Sequence, residues 1–447
     1  MAKRVKQAAE EKAPTIGELV SEMVRVITEA RKETFITMLD TSDLYRWGGE
    51  IWENSGENTI KQLVESIDSN TTTVMVNQVV DKIKRRTFTE RKVFNSREEL
   101  VALKNCVLNL NTGDVMQFDK ELYQTIQLPI QHDEDATCPT IDAFIKEVMG
   151  EMAGLFYEMV AYCLLPDYRF KKFFIMLGEA NTGKTTVVEL MHRFLGNANI
   201  TGMTLQDLAN NQFSKANLYN KLANICDDLP KVDMDDIGWI KQVTGNSPLY
   251  AEKKMIQERV EFTNRAKLIF TCNGIPKTKG ADTAFYSRLI IIPFTHQAEV
   301  IDNYLMDKLS TDSELSGLLN HVIKARMAIL SNNGFCVNQD IEEVSKIYNV
   351  GSLDSVASYQ YERIICDETT TTSTVAKHEV YDDYLGYCRY KGIAAKEINA
   401  FHRRLQEMLQ NIATTHLTGN DGERYYGYKG MRINIYAKIE SGDNENE

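Results

Sequence analysis

Nine consecutive residues carry the clearest chemistry in this sequence: Gly178, Glu179, Ala180, Asn181, Thr182, Gly183, Lys184, Thr185 and Thr186. Two glycines separated by four residues, then a lysine and a hydroxyl, suit a bound polyphosphate. Glycines let backbone N–H groups close around phosphate oxygens, with positive φ where the turn demands it. Lys184 can neutralise β- and γ-phosphate charge, and the Thr185 hydroxyl can ligate Mg²⁺. An apolar run, Phe173 to Leu177, leads into the loop, and a helical pattern follows at once. That context, strand to glycine loop to helix N-terminus, is the Walker A setting in which a helix dipole also faces the anion.

Four further residues fit the same chemistry. Asp227 and Asp228 end an apolar strand, Leu222 to Cys226, 43 residues after Lys184. One carboxylate beside the loop can hold the metal and its neighbour can polarise a water; an Asp-Asp pair before Leu229-Pro230 also suits a surface turn. Asn273 ends the strand Lys267 to Cys272, where an amide could reach a γ-phosphate, although Asn-Gly is equally a turn former. Arg288 stands directly before the apolar strand Leu289 to Ile292. A guanidinium there could stabilise transition-state charge on a neighbouring subunit's nucleotide, or cap the strand in solvent. Asn224 interrupts the acid-bearing strand with a polar group that the sequence does not explain.

The elements that must position these residues alternate between helix and strand from about 142 to 295, which predicts an α/β unit on a largely parallel sheet. Before it, helical spacing over Ile16, Leu19, Val20, Met23, Val26 and Ile27 predicts helix to about residue 40, opened by Pro14-Thr15 with Glu18. Leu44 to Trp52 reads as short strand with a turn at Gly48-Gly49, and Asn111 to Asp114 as a hairpin turn. Residues 297–350 look helical, and the polar run 369–374 reads as a linker. Beyond it come two helical patterns, a hairpin rich in tyrosine, and an acidic tail.

Composition bounds the rest. The chain has 447 residues, 43% hydrophobic and 26% charged, which excludes a largely disordered chain. Its net charge of -12 speaks against a histone-like coat, but not against a DNA enzyme with a local basic track. Such a track would make DNA binding strongly salt-sensitive despite the acidic balance. Eight scattered cysteines, none in a C-x-x-C pair, suggest neither a disulfide framework nor a zinc ribbon and fit a reducing cytoplasm. No apolar run reaches the length of a membrane span, and the charged start has no signal core.

The phosphate loop, Asp227-Asp228, Asn273 and Arg288 stand in the order and spacing of superfamily 3 helicases. The stretches WIKQVTGNSPLYAEKK and RVEFTNRAKLIFTCNGIP resemble the helicase portion of the phage/plasmid primase–helicase, or poxvirus-type, family. The resemblance runs from about 44 to 435. It implies an α/β AAA+-type P-loop NTPase core with a parallel sheet, a mixed α/β N-terminal domain and a C-terminal winged-helix domain. The corresponding units would be 1–140 (pre-helicase and oligomerisation), 141–297 (core), 298–368 (helical lid or connector), 369–438 (winged-helix-like, DNA-binding) and 439–447 (acidic tail).

The family further implies ATP and Mg²⁺ as cofactors and a homo-oligomeric ring, usually a hexamer, on single-stranded or forked DNA. Asn273 would be the sensor, Arg288 would act in trans, and Thr185 with Asp227 would hold the metal. Lys253 and Lys254 align with a loop expected to project into the pore, where two lysines can grip successive phosphates without reading bases. Lys241 matches a further motif. In the winged-helix region His402, Arg403 and Arg404 could meet backbone phosphates, and Tyr425, Tyr426 and Tyr428 read as wing core more than as a stacking surface. Only about 40 residues precede the resemblance, so no priming activity is expected of this chain and a separate primase becomes a candidate partner. The implied function is that of a replicative helicase of a virus, plasmid or integrated element, working in the host cytoplasm. The alternatives are a nucleotide-switched DNA-binding assembly or initiation factor, and a small-molecule phosphotransferase.

Overall fold

Thr15 starts the first helix in the computed structural model, which describes residues 14–210, 214–229, 238–252, 259–275, 282–296, 302–337, 355–366, 373–391, 395–409, 412–418 and 424–434. The Thr15 N–H donates to the Glu18 carboxylate at 2.8 Å and the Glu18 N–H donates back to the Thr15 hydroxyl at 3.3 Å. This reciprocal cap opens α1 (Ile16–Arg25), which widens into a π-helical turn over Val26–Ala30. Helix was expected to about residue 40, but the chain turns extended at β1 (Phe35–Met38). All four β1 residues are buried, and the strand pairs on both edges, so tertiary pairing overrides the local helical spacing. β2 (Leu44–Trp47) and β3 (Trp52–Glu53) form the expected hairpin, with Trp47 opposite Trp52. α2 (Gly56–Ile67) and α3 (Thr73–Arg86) join α1 in covering this sheet, and β4 (Phe88–Thr89) completes it in the order β3-β2-β1-β4.

β5 (Leu100–Ala102), β6 (Val107–Asn109) and β7 (Val115–Met116) make an antiparallel meander, its second turn at the expected Asn111–Asp114. Val101, Leu103 and Leu108 bury into the same core as α4 (Pro139–Met149) and α5 (Ala153–Cys163). The apolar core is therefore continuous across residue 140.

The α/β alternation follows as read. β8 (Phe173–Gly178), α6 (Lys184–Leu195), β9 (Ile200–Thr201), α7 (Leu205–Asn210) and β10 (Ala223–Cys226) come first. α8 (Gly238–Val243), the hairpin β11 (Pro248–Glu252) and β12 (Arg259–Thr263), β13 (Lys267–Cys272), α9 (Thr283–Tyr286) and β14 (Leu289–Phe294) complete the unit. The sheet order is β14-β8-β13-β10-β9 and every pair is parallel. Both faces are covered, so the strands read as continuous apolar runs. Phe174, Met176, Ile269 and Ile290 face α5 and α6, while Phe173, Ile175, Phe270 and Ile291 face α7, α8 and α9.

Asn224 now has a role. Fully buried in β10, its amide oxygen accepts from the Met203 N–H at 2.8 Å and its amide nitrogen donates to the Met203 carbonyl at 3.0 Å. The side chain thus serves the backbone where β9 has ended and no ladder partner exists.

α10 (Leu305–Leu309) and α11 (Asp312–Ser331) bear out helix in the described part of 297–350, and α11 packs on α5. The C-terminal unit runs α12 (Ser355–Arg363), β15 (Ile364–Cys366), β16 (Thr374–Ala376), α13 (Lys377–Lys391), α14 (Ile398–Met408), β17 (Ala413–Thr418), β18 (Arg424–Lys429) and β19 (Met431–Ile433). Its sheet is β16-β18-β17, and Tyr359, Val380, Tyr384, Phe401 and Tyr428 form its own core. Thr374 belongs to a strand rather than to the expected linker, most of which, with the acidic tail, lies outside the described residues. No helix among the described residues is long and apolar enough to cross a membrane.

Replacing Asn224 by Leu should leave both Met203 backbone groups without partners. The expected loss is about 2–3 kcal/mol of unfolding free energy, read by urea denaturation. Asn224→Asp should be no more stable than Leu, because an ionised carboxylate there would be buried facing the Met203 carbonyl.

Candidate functional site

Two close approaches and one backbone conformation set the phosphate loop. A Cβ on Gly178 would lie 2.2 Å from the Phe294 carbonyl oxygen, so only glycine lets β8 and β14 run together to this point. Gly183 has φ +89°, and a Cβ there would also strike Val148 at 2.7 Å, so α4 forms the floor beneath the turn. Asn181, also at positive φ, sits exposed with Glu179 and Ala180 on the rim. Thr182 is buried and donates to the Glu179 carbonyl at 2.9 Å, which holds the loop closed on itself.

Lys184 lies inside this turn with only 7% of its surface exposed. Its ammonium donates to the carbonyls of Gly178 at 2.7 Å and Glu179 at 2.6 Å and to the Thr182 hydroxyl at 3.3 Å. All three N–H donors are thereby satisfied. Burial draws its pKa below the ordinary lysine value, against the opposing pull of Asp227, Glu179 and Asp228. Thr185 is exposed and Thr186 half-buried in the first turn of α6.

The acids arrive from β10. The Thr185 hydroxyl donates to Asp227 Oδ2 at 3.2 Å. Two oxygens at that separation match adjacent ligands of a small octahedral cation with bonds near 2.1 Å, about 3.0 Å apart, so Thr185 and Asp227 fit a Mg²⁺ site. Asp228 is exposed beside Asp227, its backbone in the left-handed region at φ +54°. Asn273 follows β13 and is exposed. Because Cys272 pairs with Leu177, Asn273 stands level with Gly178, the first residue of the loop. The sheet therefore brings the loop, both aspartates and Asn273 to one edge.

Sequence reasoning missed Thr271. It is buried in β13, its hydroxyl donates to Asp227 Oδ1 at 2.5 Å, and it accepts from the Asp228 N–H at 2.8 Å. One hydroxyl thus orients one carboxylate and fixes the backbone of the next. The available signal was a hydroxyl in an otherwise apolar strand, two residues before Asn273, but threonine is too ordinary in strands to stand out.

Arg288 is not part of this cluster. Its carbonyl accepts from the Phe173 N–H at 2.8 Å, at the opposite end of β8 and β14 from the loop. Five residue steps along β8 separate the two ends, about 17 Å at roughly 3.3 Å per residue. The guanidinium donates through Nη1 to the Ala284 carbonyl at 2.6 Å, closing α9. Lys241 pairs with Asp282 at 2.6 Å, and Asp282 caps α9 by accepting from the Phe285 N–H, so this lysine ties α8 to the helix that precedes Arg288. Lys253 and Lys254 lie outside the described residues, in the segment joining the paired ends of β11 and β12.

In the C-terminal unit Arg403 is exposed on α14, opposite the buried Phe401 and Leu405. Arg404 is half-buried and pairs with Glu407 at 3.2 Å. His402 corrects the expectation of a phosphate contact: it packs inward, with its Nδ1 3.0 Å from the Tyr428 hydroxyl. Tyr428 is core, as read, whereas Tyr426, two residues earlier on the same strand, is 59% exposed. Burial, with the Lys377 charge behind it, pulls the His402 imidazole down to about 4.

Residues 7–150 match a family described as D5 N terminal like, and residues 176–288 match a family of unknown function, DUF5906. Over 171 residues, 36% of this chain, the sequence is 26% identical to "Putative helicase L207/L206" of Acanthamoeba polyphaga mimivirus, covering 18% of that protein. Over 275 residues, 57% of this chain, it is 23% identical to "Putative helicase 184R" of Invertebrate iridescent virus 6, covering 27% of that protein. The matches thus span about a fifth to a quarter of the length of these curated relatives. Among solved structures, the apo NrS-1 C terminal region (305-718) aligns over 90% of this chain and 97% of that one, at 15% identity and a TM-score of 0.46. Its A form aligns over the same shares at a TM-score of 0.45.

Thr271→Val keeps the branched shape but removes the hydroxyl. It should cost about 1–2 kcal/mol through the unpaired Asp228 N–H, while Thr271→Ser should retain most of the parent stability in chemical denaturation. His402 is neutral when folded, and below about pH 6.5 the unfolded chain takes up a proton that the folded unit refuses until about 4. Stability of the C-terminal unit should therefore be full above pH 6.5 and decline toward pH 4. His402→Gln should flatten that slope in thermal melts followed across this range.

Proposed function

We propose that this chain is the subunit of an ATP-driven DNA helicase that works as a ring on single-stranded or forked DNA. The resemblance to viral proteins named as helicases supports the class, and the placement of Arg288 supports the ring. Every other candidate at the nucleotide site gathers at one edge of the sheet, whereas Arg288 lies about 17 Å away along β8. An arginine so placed serves the nucleotide of a neighbour, not its own. A contact made between two different surfaces is head-to-tail, and such contacts close into rings when the rotation permits.

In this reading the loop backbone, Lys184 and Thr186 bind the triphosphate. Thr185 and Asp227 would hold Mg²⁺, which would supply charge neutralisation to the bound triphosphate. The Lys184 ammonium exchanges the carbonyls of Gly178 and Glu179 for phosphate oxygens, so its donors remain satisfied as the anion enters. Asp227 or Asp228 accepts the proton of the attacking water, and Asn273, level with Gly178, orients that water or the γ-phosphate. Thr271 keeps the two aspartates in register. The neighbour's Arg288 stabilises charge on the transferring group. Lys253 and Lys254 follow the DNA backbone in the channel, and the helix–helix–hairpin order of the C-terminal unit supports a winged-helix-like contact through Arg403 and Arg404.

The decisive experiment mixes two inactive variants. Lys184→Ala and Arg288→Ala should each hydrolyse no ATP alone, with Arg288→Ala still binding nucleotide. Mixed in equal amounts and co-assembled, roughly a quarter of the interfaces join an intact loop to an intact arginine, so turnover should reappear at about that fraction. No recovery in verified mixed assemblies, or full turnover by Arg288→Ala alone, would refute the shared site. On forked DNA the parent should show DNA-stimulated hydrolysis and strand displacement. Stimulation without displacement would favour the nucleotide-switched assembly factor.

A further inference from the structure

Away from the phosphate loop, α11 clamps the chain entering α4. Asn320 donates its amide to the carbonyls of Asp133, Glu134 and Ala136 at 2.9, 3.2 and 3.0 Å, and Ser316 donates to Asp133 at 3.4 Å. The clamp brings together three side chains, two from the N-terminal end of α4 and one from the face of α11. Cys138 is fully buried at the N-terminus of α4, Asp142 lies one turn on, and His321 projects from α11. The Cys138 sulfur, an Asp142 oxygen and a His321 nitrogen all lie within 4.8 Å of one another.

We propose that Cys138, Asp142 and His321 form a binding site for a divalent transition-metal cation of the zinc class, with solvent as the fourth ligand. Thiolate, carboxylate and imidazole ligands at about 2.0–2.3 Å from a tetrahedral ion stand about 3.3–3.8 Å apart. The Cys138 sulfur is 3.4 Å from Asp142 Oδ1, and His321 Nε2 is 3.9 Å from the other oxygen, Oδ2, so a small rotation of the carboxylate sets one oxygen between the two. A weak hydrogen bond accounts for the first distance. The second is too long for one, so the imidazole nitrogen and the carboxylate oxygen face each other at a separation that a shared cation closes with a small side-chain shift.

The surroundings fit a built site. Tyr157 donates its hydroxyl to Asp142 Oδ1 at 2.5 Å and packs its ring against His321 at 5.2 Å, orienting two of the three ligands from outside. The Glu314 carboxylate is turned to the N-terminus of α4, where it accepts the N–H groups of Thr140 and Ile141. Asp142 and His321 retain 41% and 37% side-chain exposure, which leaves one side open for entry and for a water. A soft thiolate among the donors selects zinc-class ions over Mg²⁺ or Ca²⁺. The metal would join α4 to α11, and α4 carries Phe144 and Val148, the side chains beneath Gly183. The cation therefore braces the floor of the phosphate loop from behind.

The test uses the full chain, stripped with chelator, without nucleotide or Mg²⁺, titrated with Zn²⁺ or Co²⁺ alone. One equivalent should bind, Co²⁺ should produce a thiolate-to-metal absorption band, and Zn²⁺ should raise the melting temperature. His321→Gln should weaken binding about tenfold or more and suppress the thermal shift. Cys138→Ser should abolish the band. Lys184→Ala should bind like the parent, which separates this site from the nucleotide reading. No binding, or binding that His321→Gln and Cys138→Ser leave unchanged, would overturn the proposal and assign any metal to the exposed Cys336 or Cys366. Cys138 is buried and its replacement could unfold the chain; His321 is half-exposed, so its variant carries the test alone in that case.

Discussion

Parallel pairing sends every strand of the central sheet toward the same edge, and the candidate site exists because of that direction. β8 delivers the phosphate loop, β10 delivers Asp227 and Asp228, and β13 runs between them. Two strand spacings of about 4.8 Å hold the loop and the acid pair about 10 Å apart at the backbone. That gap leaves room for a polyphosphate and its cation, and β13 fills its floor with Thr271 and Asn273. The helix after the loop leans back across it, so that Thr185 still reaches Asp227 at 3.2 Å. An antiparallel sheet would send alternate strands the other way and scatter these residues over both ends.

The loop is also folded before any ligand is considered. An ammonium buried without partners would be costly, and the carbonyls of Gly178 and Glu179 offset that cost with the Thr182 hydroxyl. The turn keeps its shape because its own lysine stands in the space that an anion would organise. A phosphate bound as proposed would exchange acceptors around a fixed cation, in place of ordering a slack loop.

How much of this could be read from the sequence depended on whether a residue's role was local. The loop was legible because its glycines, lysine and threonine are contiguous and its strand and helix adjoin it. The four main strands were legible because burial on both faces makes them largely apolar runs, broken only by single polar residues such as Asn224 and Thr271. β1 was not, since Phe35 to Met38 follows directly on a helical pattern and only its pairing with β2 on one edge and with β4, some 50 residues on, makes it a strand. Thr271 and Asn224 were opaque for the same reason: each serves a backbone group 21 or more residues away. His402 misled because a basic-looking run, His-Arg-Arg, crosses from the buried face of α14 to its exposed face within two residues. The Cys138 cluster joins positions more than 180 residues apart, with no spacing that a reader of the chain would notice.

The register of β14 has one more consequence. Leu289 pairs with Phe173 and Phe294 with Gly178, six matched positions without a bulge. The close approach at Gly178 fixes one end of this strand against the phosphate loop, and the Phe173 bond to Arg288 fixes the other. The strand is in effect a ruler whose length is set by covalent geometry, independent of how the side chains around it pack. Its alternation allows change only in steps of two: a single inserted residue would turn Ile290 and Ile292 to the wrong layer. In related chains the span between these two ends should therefore vary by about 7 Å or not at all, while the loops on either side are free to take any length.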